Sequence, residues 1–250
     1  MPVRYERRNT TRILTIDRPD RRNAVDRATA EALRAHYYEF AADDDARVLV
    51  VTGAGGQAFC AGADLKAMDS PIAAPEGPMG FTRVQSPKPT IAAIDGWCVA
   101  GGLEIACWCD VRIASEKSTF GCLERRWGVP LIDGGTQRLP RIIGLGRALD
   151  LILSGRTVDA REALAIGLVQ RVVPDGTALD AAIALAGQIA AYPWACVLAD
   201  RQAAYDGLGK PLAEGLQIEA ALGRTVIAEA QQGAARFASG EGRHAGGAPR

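Results

Sequence analysis

Three short apolar runs constrain the fold more than anything else in the chain: "RVLVVTG" at 47–53, "TIAAIDG" at 90–96 and "VRIAS" at 111–115. Each is strand-length and unbroken, the mark of a strand buried in a sheet. Helical stretches separate them. "VDRATAEALRAHYYEFAADDD" has Asp26 as its N-cap and puts Leu33, Tyr37, Phe40 and Ala41 on one face. "GGLEIACWC" opens a second helix on two glycines. An earlier strand, "RILTIDRP", ends at a proline turn. Strand alternating with helix specifies an α/β domain.

Five prolines between Pro71 and Pro89 exclude a long helix there and predict a loop or lid. Beyond Gly144 the pattern turns helical, with "GRALDLILSG", then "DAREALAIG" capped by Asp159 and closed by Gly167, then a short strand in "LVQRVVP". Alanine-rich helices follow from Leu179, broken at "YPW" and "DGLGKP". The expected organisation is a core over 1–190 and a helical region over 191–250, with a glycine-rich, frayed tail from about 239.

A chain of 250 residues can bury one large core and carry a helical appendage. Its 29 basic and 29 acidic residues give no global field to draw it to nucleic acid or an anionic membrane. The most membrane-like run, "IAAIDGWCVAGGLEIACWC", holds Asp95 and Glu104, and a central carboxylate costs roughly 2.5 to 3.5 kcal/mol on insertion, so a span is not expected. The first residues carry charge without an apolar core of signal-peptide length, which predicts a cytoplasmic protein. Six cysteines lie mostly inside apolar runs and are expected reduced and buried. With only His36 and His244 and a "CWC" spacing, the chain offers poor material for a zinc site.

The chemistry concentrates in two stretches, "AFCAGADL" at 58–65 and "CVAGGLEIACWC" at 98–109. In both, a strand ends in small residues and glycine. Amides at the first turn of the helix opening at Gly101 have no intrahelical acceptor and suit a negative oxygen. Gly62 and Ala63 offer a second such place, where lack of bulk lets a ligand lie on the chain. Two converging N–H donors would form an oxyanion hole, although tight turns alone explain the same residues. Glu104 stands in the first helical turn, where it would also complement the helix dipole. Glu124 follows a strand end, with Arg125 and Arg126 as ready ion-pair partners.

"AFCAGADLKAM", "IAAIDGWCVAGGLEIACWCDVRIASEKSTFG" and "GGTQRLPRIIGLGRALDLILSGRTVDAREALAIGLVQRVVP" resemble, in order and spacing, the crotonase superfamily, that is, the enoyl-CoA hydratase and isomerase family. "LTIDRPDRRNAVD" resembles its N-terminal strand and turn, so the likeness runs from about Thr11 to Phe237. It implies a spiral of ββα turns, a helical C-terminal region that builds homotrimers or homohexamers, and an acyl-CoA thioester as substrate with no separate cofactor. It further implies that the amides of Ala63 and Gly101 hold the thioester oxygen. By the same likeness, Glu104 and Glu124 are the acid–base pair that hydrates a 2-enoyl-CoA. CoA contacts are carried over to Ala61, Ala63, Asp64 and Leu65, with Arg22 and Lys66, beside Arg18 and Arg21, as candidates for its phosphates.

The sequence departs from typical hydratases in two places. Cys122 and Leu123 replace a Gln-Pro pair ahead of Glu124, and Arg125, Arg126 and Trp127 follow it. Asp133 occupies a position where dienoyl-CoA isomerases resemble this chain in carrying an acid, while its neighbours Gly134 and Gly135 suit an aspartate that caps its own turn. Isomerisation of an enoyl-CoA or dienoyl-CoA is therefore the rival activity. An acyl-CoA hydrolase or decarboxylase would use the same oxyanion hole and stays open as well; a non-catalytic RNA-binding or scaffold relative is a further alternative, and both glutamates and the neutral charge count against it.

Overall fold

A computed structural model describes residues 1–67 and 74–240. Part of the expected lid and the tail beyond 240 lie outside the described residues. Two compact units divide the chain, Met1–Ala186 and Gly187–Arg250.

The first unit is built on two sheets. Strands β1 (Val3–Arg8), β2 (Thr11–Ile16), β3 (Val48–Gly53), β5 (Thr90–Ile94), β7 (Val111–Ser115) and β10 (Arg171–Val173) form the larger, in the order β1-β2-β3-β5-β7-β10. All neighbours are parallel except β1 with β2. Strands β4 (Ala58–Cys60), β6 (Trp97–Val99), β8 (Thr119–Gly121) and β9 (Thr157–Asp159) form the smaller, in that order. The chain alternates between sheets, β3 then β4, β5 then β6, β7 then β8, and helices close the turns. This is the α/β spiral of ββα turns that the resemblance implied. Helix α1 (Arg27–Ala42) precedes β3, with the Asp26 carboxylate capping Thr29 N–H at 2.9 Å. Its Leu33, Tyr37 and Phe40 are buried as the periodicity predicted, with Ala41 half-buried.

Helix α2 (Gly101–Trp108) leaves β6 and is buried along its whole length. It packs so tightly on β4 that a Cβ on Gly102 would sit 2.1 Å from the Cys60 carbonyl oxygen. The stretch read as the most membrane-like is thus two strands and a core helix. No single described helix is long and apolar enough to cross a membrane. Helices α3 (Gly135–Ile143), α4 (Leu145–Ser154) and α5 (Ala160–Ala165) follow, and Asp159 caps the last through Glu162 N–H. Helix α6 (Ala178–Ala191) follows, and the second unit contains α7 (Trp194–Gly207), α8 (Leu212–Thr225) and α9 (Ile227–Ala238).

Residues 74–89, the described part of the proline-rich segment, have no regular structure, as expected, yet they do not form a surface loop. Met79, Phe81, Thr82 and Ser86 are buried. Phe81 meets Trp108 with ring centroids 4.6 Å apart, and Trp108 Nε1 donates to the Val84 carbonyl at 2.6 Å. The segment is a strap sewn to α1 and α2.

The Gly102 contact gives a test. Alanine favours a helix over glycine by about 1 kcal/mol, but overpacking against backbone costs about 1–3 kcal/mol. Gly102→Ala should lower stability in urea denaturation despite its better propensity; a rise in the midpoint would contradict the packing.

Candidate functional site

Strands β4 and β6 are parallel neighbours, with Ala58 opposite Trp97 and Cys60 opposite Cys98. Both therefore leave the sheet at the same end, about one strand spacing apart, and the turns 61–63 and 100–101 emerge side by side. A Cβ on Gly62 would lie 2.9 Å from Gly101 N, so these turns touch only because residue 62, at φ +90°, has no side chain.

The amides of the first turn can be followed one by one. Ala61 N–H donates to the Arg22 carbonyl, Gly62 N–H meets Cys60 Sγ, and Asp64 N–H donates to Val25. Val25 and Ala63 form a parallel bridge in which the groups flanking Ala63 face Val25. The Ala63 N–H consequently points the other way and has no acceptor among the described residues. On the second turn Ala100 sits at φ +54°, ψ −131°, a strained position for a residue with a Cβ. Leu103 and Glu104 donate back to its carbonyl, while the Gly101 and Gly102 amides at the head of α2 take no acceptor among the described residues.

A cavity of about 510 Å³ opens on these turns, within the usual range for a small-molecule site. Ala63, Gly101, Glu104, Glu124 and Asp133 all line it, as do Ala61 and Leu65. Its remaining wall is mostly apolar, with Met79, Leu123, Trp127, Val129 and Ile132. Asp64, Arg22 and Lys66 do not line it. Asp64 is held by Arg18 at 3.0 Å and caps Lys66 N–H, and Arg18 also pairs with Asp26 at 2.8 Å. That frame uses both Arg18 and Asp64 to fix the first turn, whereas Arg22 and Lys66 are exposed.

Glu104 is 3% exposed, and its Oε1 accepts from Gly135 N–H at 2.7 Å and Asp133 N–H at 2.9 Å. Burial pushes its carboxyl up to about 7, helped by the negative neighbours Asp133 and Glu124 and opposed by the two amides. Glu124 lies on a 3-10 turn (Leu123–Trp127), is 6% exposed, and neither carboxylate oxygen has a hydrogen-bond partner among the described residues. Burial raises it too. The adjacent arginines do not pair with it: Arg125 Nε donates to the Ile152 carbonyl at 3.3 Å and Arg126 Nη2 to the Gly155 carbonyl at 3.0 Å. They pin the turn to the end of α4 and leave the carboxyl to the cavity.

Asp133 corrects the local reading of its turn. Its carboxylate does not cap its own backbone but reaches across to the strap, accepting from Met79 N–H at 3.0 Å and from the Thr82 hydroxyl. The amides of its turn serve Glu104 instead. Burial raises its carboxyl. The cysteines sit as expected: five are buried and Cys196 is half-buried. Among the described residues no group of His, Cys, Asp and Glu is placed to hold a metal. Met79 and Thr82 escaped the sequence reading because nothing local in a proline-rich segment says which residues turn inward.

Residues 6–244 match the enoyl-CoA hydratase/isomerase family. The chain belongs to that family. It is accordingly an enzyme of the crotonase superfamily, and its relatives agree over nearly the whole length. It is 38% identical to the (E)-benzylidenesuccinyl-CoA hydratase of Thauera aromatica over 86% of this chain and 87% of that one. With enoyl-CoA hydratase EchA19 of Mycobacterium tuberculosis it shares 36% over 93% and 92%. The crystal structure of enoyl-CoA hydratase EchA1 from Mycobacterium marinum superposes with a TM-score of 0.89 at 36% identity, covering 95% and 96% of the two chains.

The Glu104 environment carries a stability signature. Because the folded carboxyl titrates near 7 against an ordinary 4.5, the folded protein holds this proton more tightly than the unfolded chain. The contribution is intact below about pH 4.5 and is lost as pH rises through 7, by an amount of order 3 kcal/mol. Glu104→Gln should therefore gain stability relative to wild type between pH 4 and pH 8; a difference that does not change with pH would remove the buried, raised carboxyl.

Proposed function

We propose that this family member is a hydratase that adds water across the double bond of a 2-enoyl-CoA thioester. The observation that carries the reading is the meeting of two acceptor-less amides with two buried carboxyls in one cavity. The amides of Ala63 and Gly101 hold the thioester oxygen. Charge grows there as the β-carbon is attacked, and a preorganised donor is worth most in that moment, about 3 to 4 kcal/mol each in other enzymes. Glu104, oriented by the Asp133 and Gly135 amides, holds the attacking water and takes its proton. Glu124 gives a proton to the α-carbon. One O–H bond of water breaks, the hydroxyl joins the β-carbon, and the two carboxyls exchange roles.

Burial raises both carboxyls, Glu104 to about 7, and two neighbouring acids of this kind titrate as a coupled pair. The hydration step uses the microstate in which Glu104 is ionised and Glu124 holds the proton. The second acid is also what favours hydration over isomerisation, which needs one group to shuttle a proton. CoA itself would lie along Ala61, Ala63 and Leu65. The exposed Arg22 and Lys66 remain candidates for its phosphates, and Asp64 acts through the turn it holds.

The decisive assay follows loss of the conjugated thioester absorbance over a panel of 2-enoyl-CoA substrates. Glu104→Gln and Glu124→Gln should each fold and lose about 10²–10⁴-fold in turnover, with the double variant little worse than either. Near-wild-type turnover in either variant would rule out the two-glutamate mechanism.

A trimer or pair of trimers is the proposed assembly. In the second unit, Leu208, Leu212, Leu216, Ile227 and Phe237 are exposed, more apolar surface than a lone helical unit ordinarily leaves in water. Light scattering should give three or six chain masses, and a monomer at micromolar concentration would contradict it.

A further inference from the structure

Outside the glutamate pair, one residue is bonded to three parts of the cavity wall. Asp133 is 2% exposed. Its carboxylate takes Met79 N–H and the Thr82 hydroxyl from the strap, its own N–H goes to Glu104, and its carbonyl accepts Arg138 Nη1 of α3 at 2.9 Å. Arg83, also on the strap, returns two donors to the neighbouring Ile132 carbonyl, at 2.9 and 2.7 Å. The strap comes this close because residue 77 is glycine: a Cβ there would lie 2.6 Å from Asp133 Oδ1.

Met79, the strap residue held by that carboxylate, faces the oxyanion turn, since a Cβ on Gly101 would stand 2.9 Å from its Sδ. Carboxylate, strap, Met79 and Gly101 thus form one continuous contact, and the amide of the same aspartate orients Glu104. We propose that Asp133 is a positioning residue that locks strap residues 77–82 to the Glu104 turn and so sets the depth of the acyl end of the cavity. The acyl part of this role rests on the hydratase reading; the lock does not. What matters is the acceptor atom Oδ1, which an asparagine reproduces and an alanine does not.

The test uses full-length protein and two readouts. Hydrogen exchange of the 77–82 amides, measured without ligand, reports the lock. In Asp133→Ala the Met79 amide should exchange at least about tenfold faster, while Asp133→Asn stays within about threefold of wild type. Calorimetric binding of a saturated C4 acyl-CoA, which cannot react, reports the cavity: Kd should weaken at least about fivefold in Asp133→Ala and be restored in Asp133→Asn. Thr82→Val, which removes one donor and leaves the turn filled, should move both readouts in the same direction and carries the test if Asp133→Ala does not fold. Unchanged strap exchange in a folded Asp133→Ala or Thr82→Val overturns the lock. Faster exchange with wild-type binding overturns the positioning role, and so does an Asp133→Asn variant that binds as poorly as the alanine. A wild type whose strap exchange responds as expected but which binds no acyl-CoA overturns the CoA reading and the acyl role, with the lock standing.

Discussion

The pairing of β4 with β6 is the constraint on which the rest of the site depends. Two neighbouring parallel strands run the same way and leave their sheet on the same side, here across a register shift between Ala58 and Cys60, and whatever follows them is delivered to the same place. Here that is one turn with the Ala63 amide turned outward and one helix head with the Gly101 amide unclaimed. Small residues at 61–63 and 100–102 follow from this spacing, since a side chain on Gly62 or Gly102 would strike the neighbouring backbone. Neither amide could be aimed by its own turn alone. The Val25 bridge turns the first, and the positive φ of Ala100 turns the second.

A second constraint is that no salt bridge reaches the cavity's carboxyls among the described residues. Glu104, Glu124 and Asp133 are all buried, and the nearby arginines donate to carbonyls, Arg125 and Arg126 at the α4 end and Arg83 and Arg138 at the strap and the 132–133 turn, so that they oppose the rise of Glu124 and Asp133 only through space. An arginine on any of these acids would hold it ionised. Directed at backbone, the same residues stiffen the wall while leaving the acids free to carry a proton.

Much of this was legible in the sequence, and the limits have physical causes. The long buried strands β3, β5 and β7 and helix α1 announce themselves by length, periodicity and a capping aspartate. Strand β1 did not, because an edge strand with one wet face reads as charged sequence: Val3 is buried but Glu6, Arg7 and Arg8 are not fully covered. The smaller sheet was missed as a sheet because its strands are three residues each, too short for any periodicity to declare itself. Helix α3 was hidden by the Pro140 inside it. Within the site, the glycine-rich turns and both glutamates could be named, since their chemistry is local. The use of Asp133 could not: its partners Met79 and Thr82 are more than fifty positions away, and its two glycine neighbours favoured a local explanation.

The buried thiols have a consequence for how such an enzyme ages. Cys60 ends β4 and Cys98 is the middle residue of β6, on the strands that run into the 61–63 and 100–101 turns, and removal from water pushes Cys60 up to about 12 and raises Cys98 as well. A thiol in that state offers almost no thiolate to peroxide or to an electrophile. Damage at these positions must wait for the strands to part. The resistance of these two thiols to oxidants is therefore inherited from the cohesion of the sheet, and any change that loosens β4 from β6 would expose both at once.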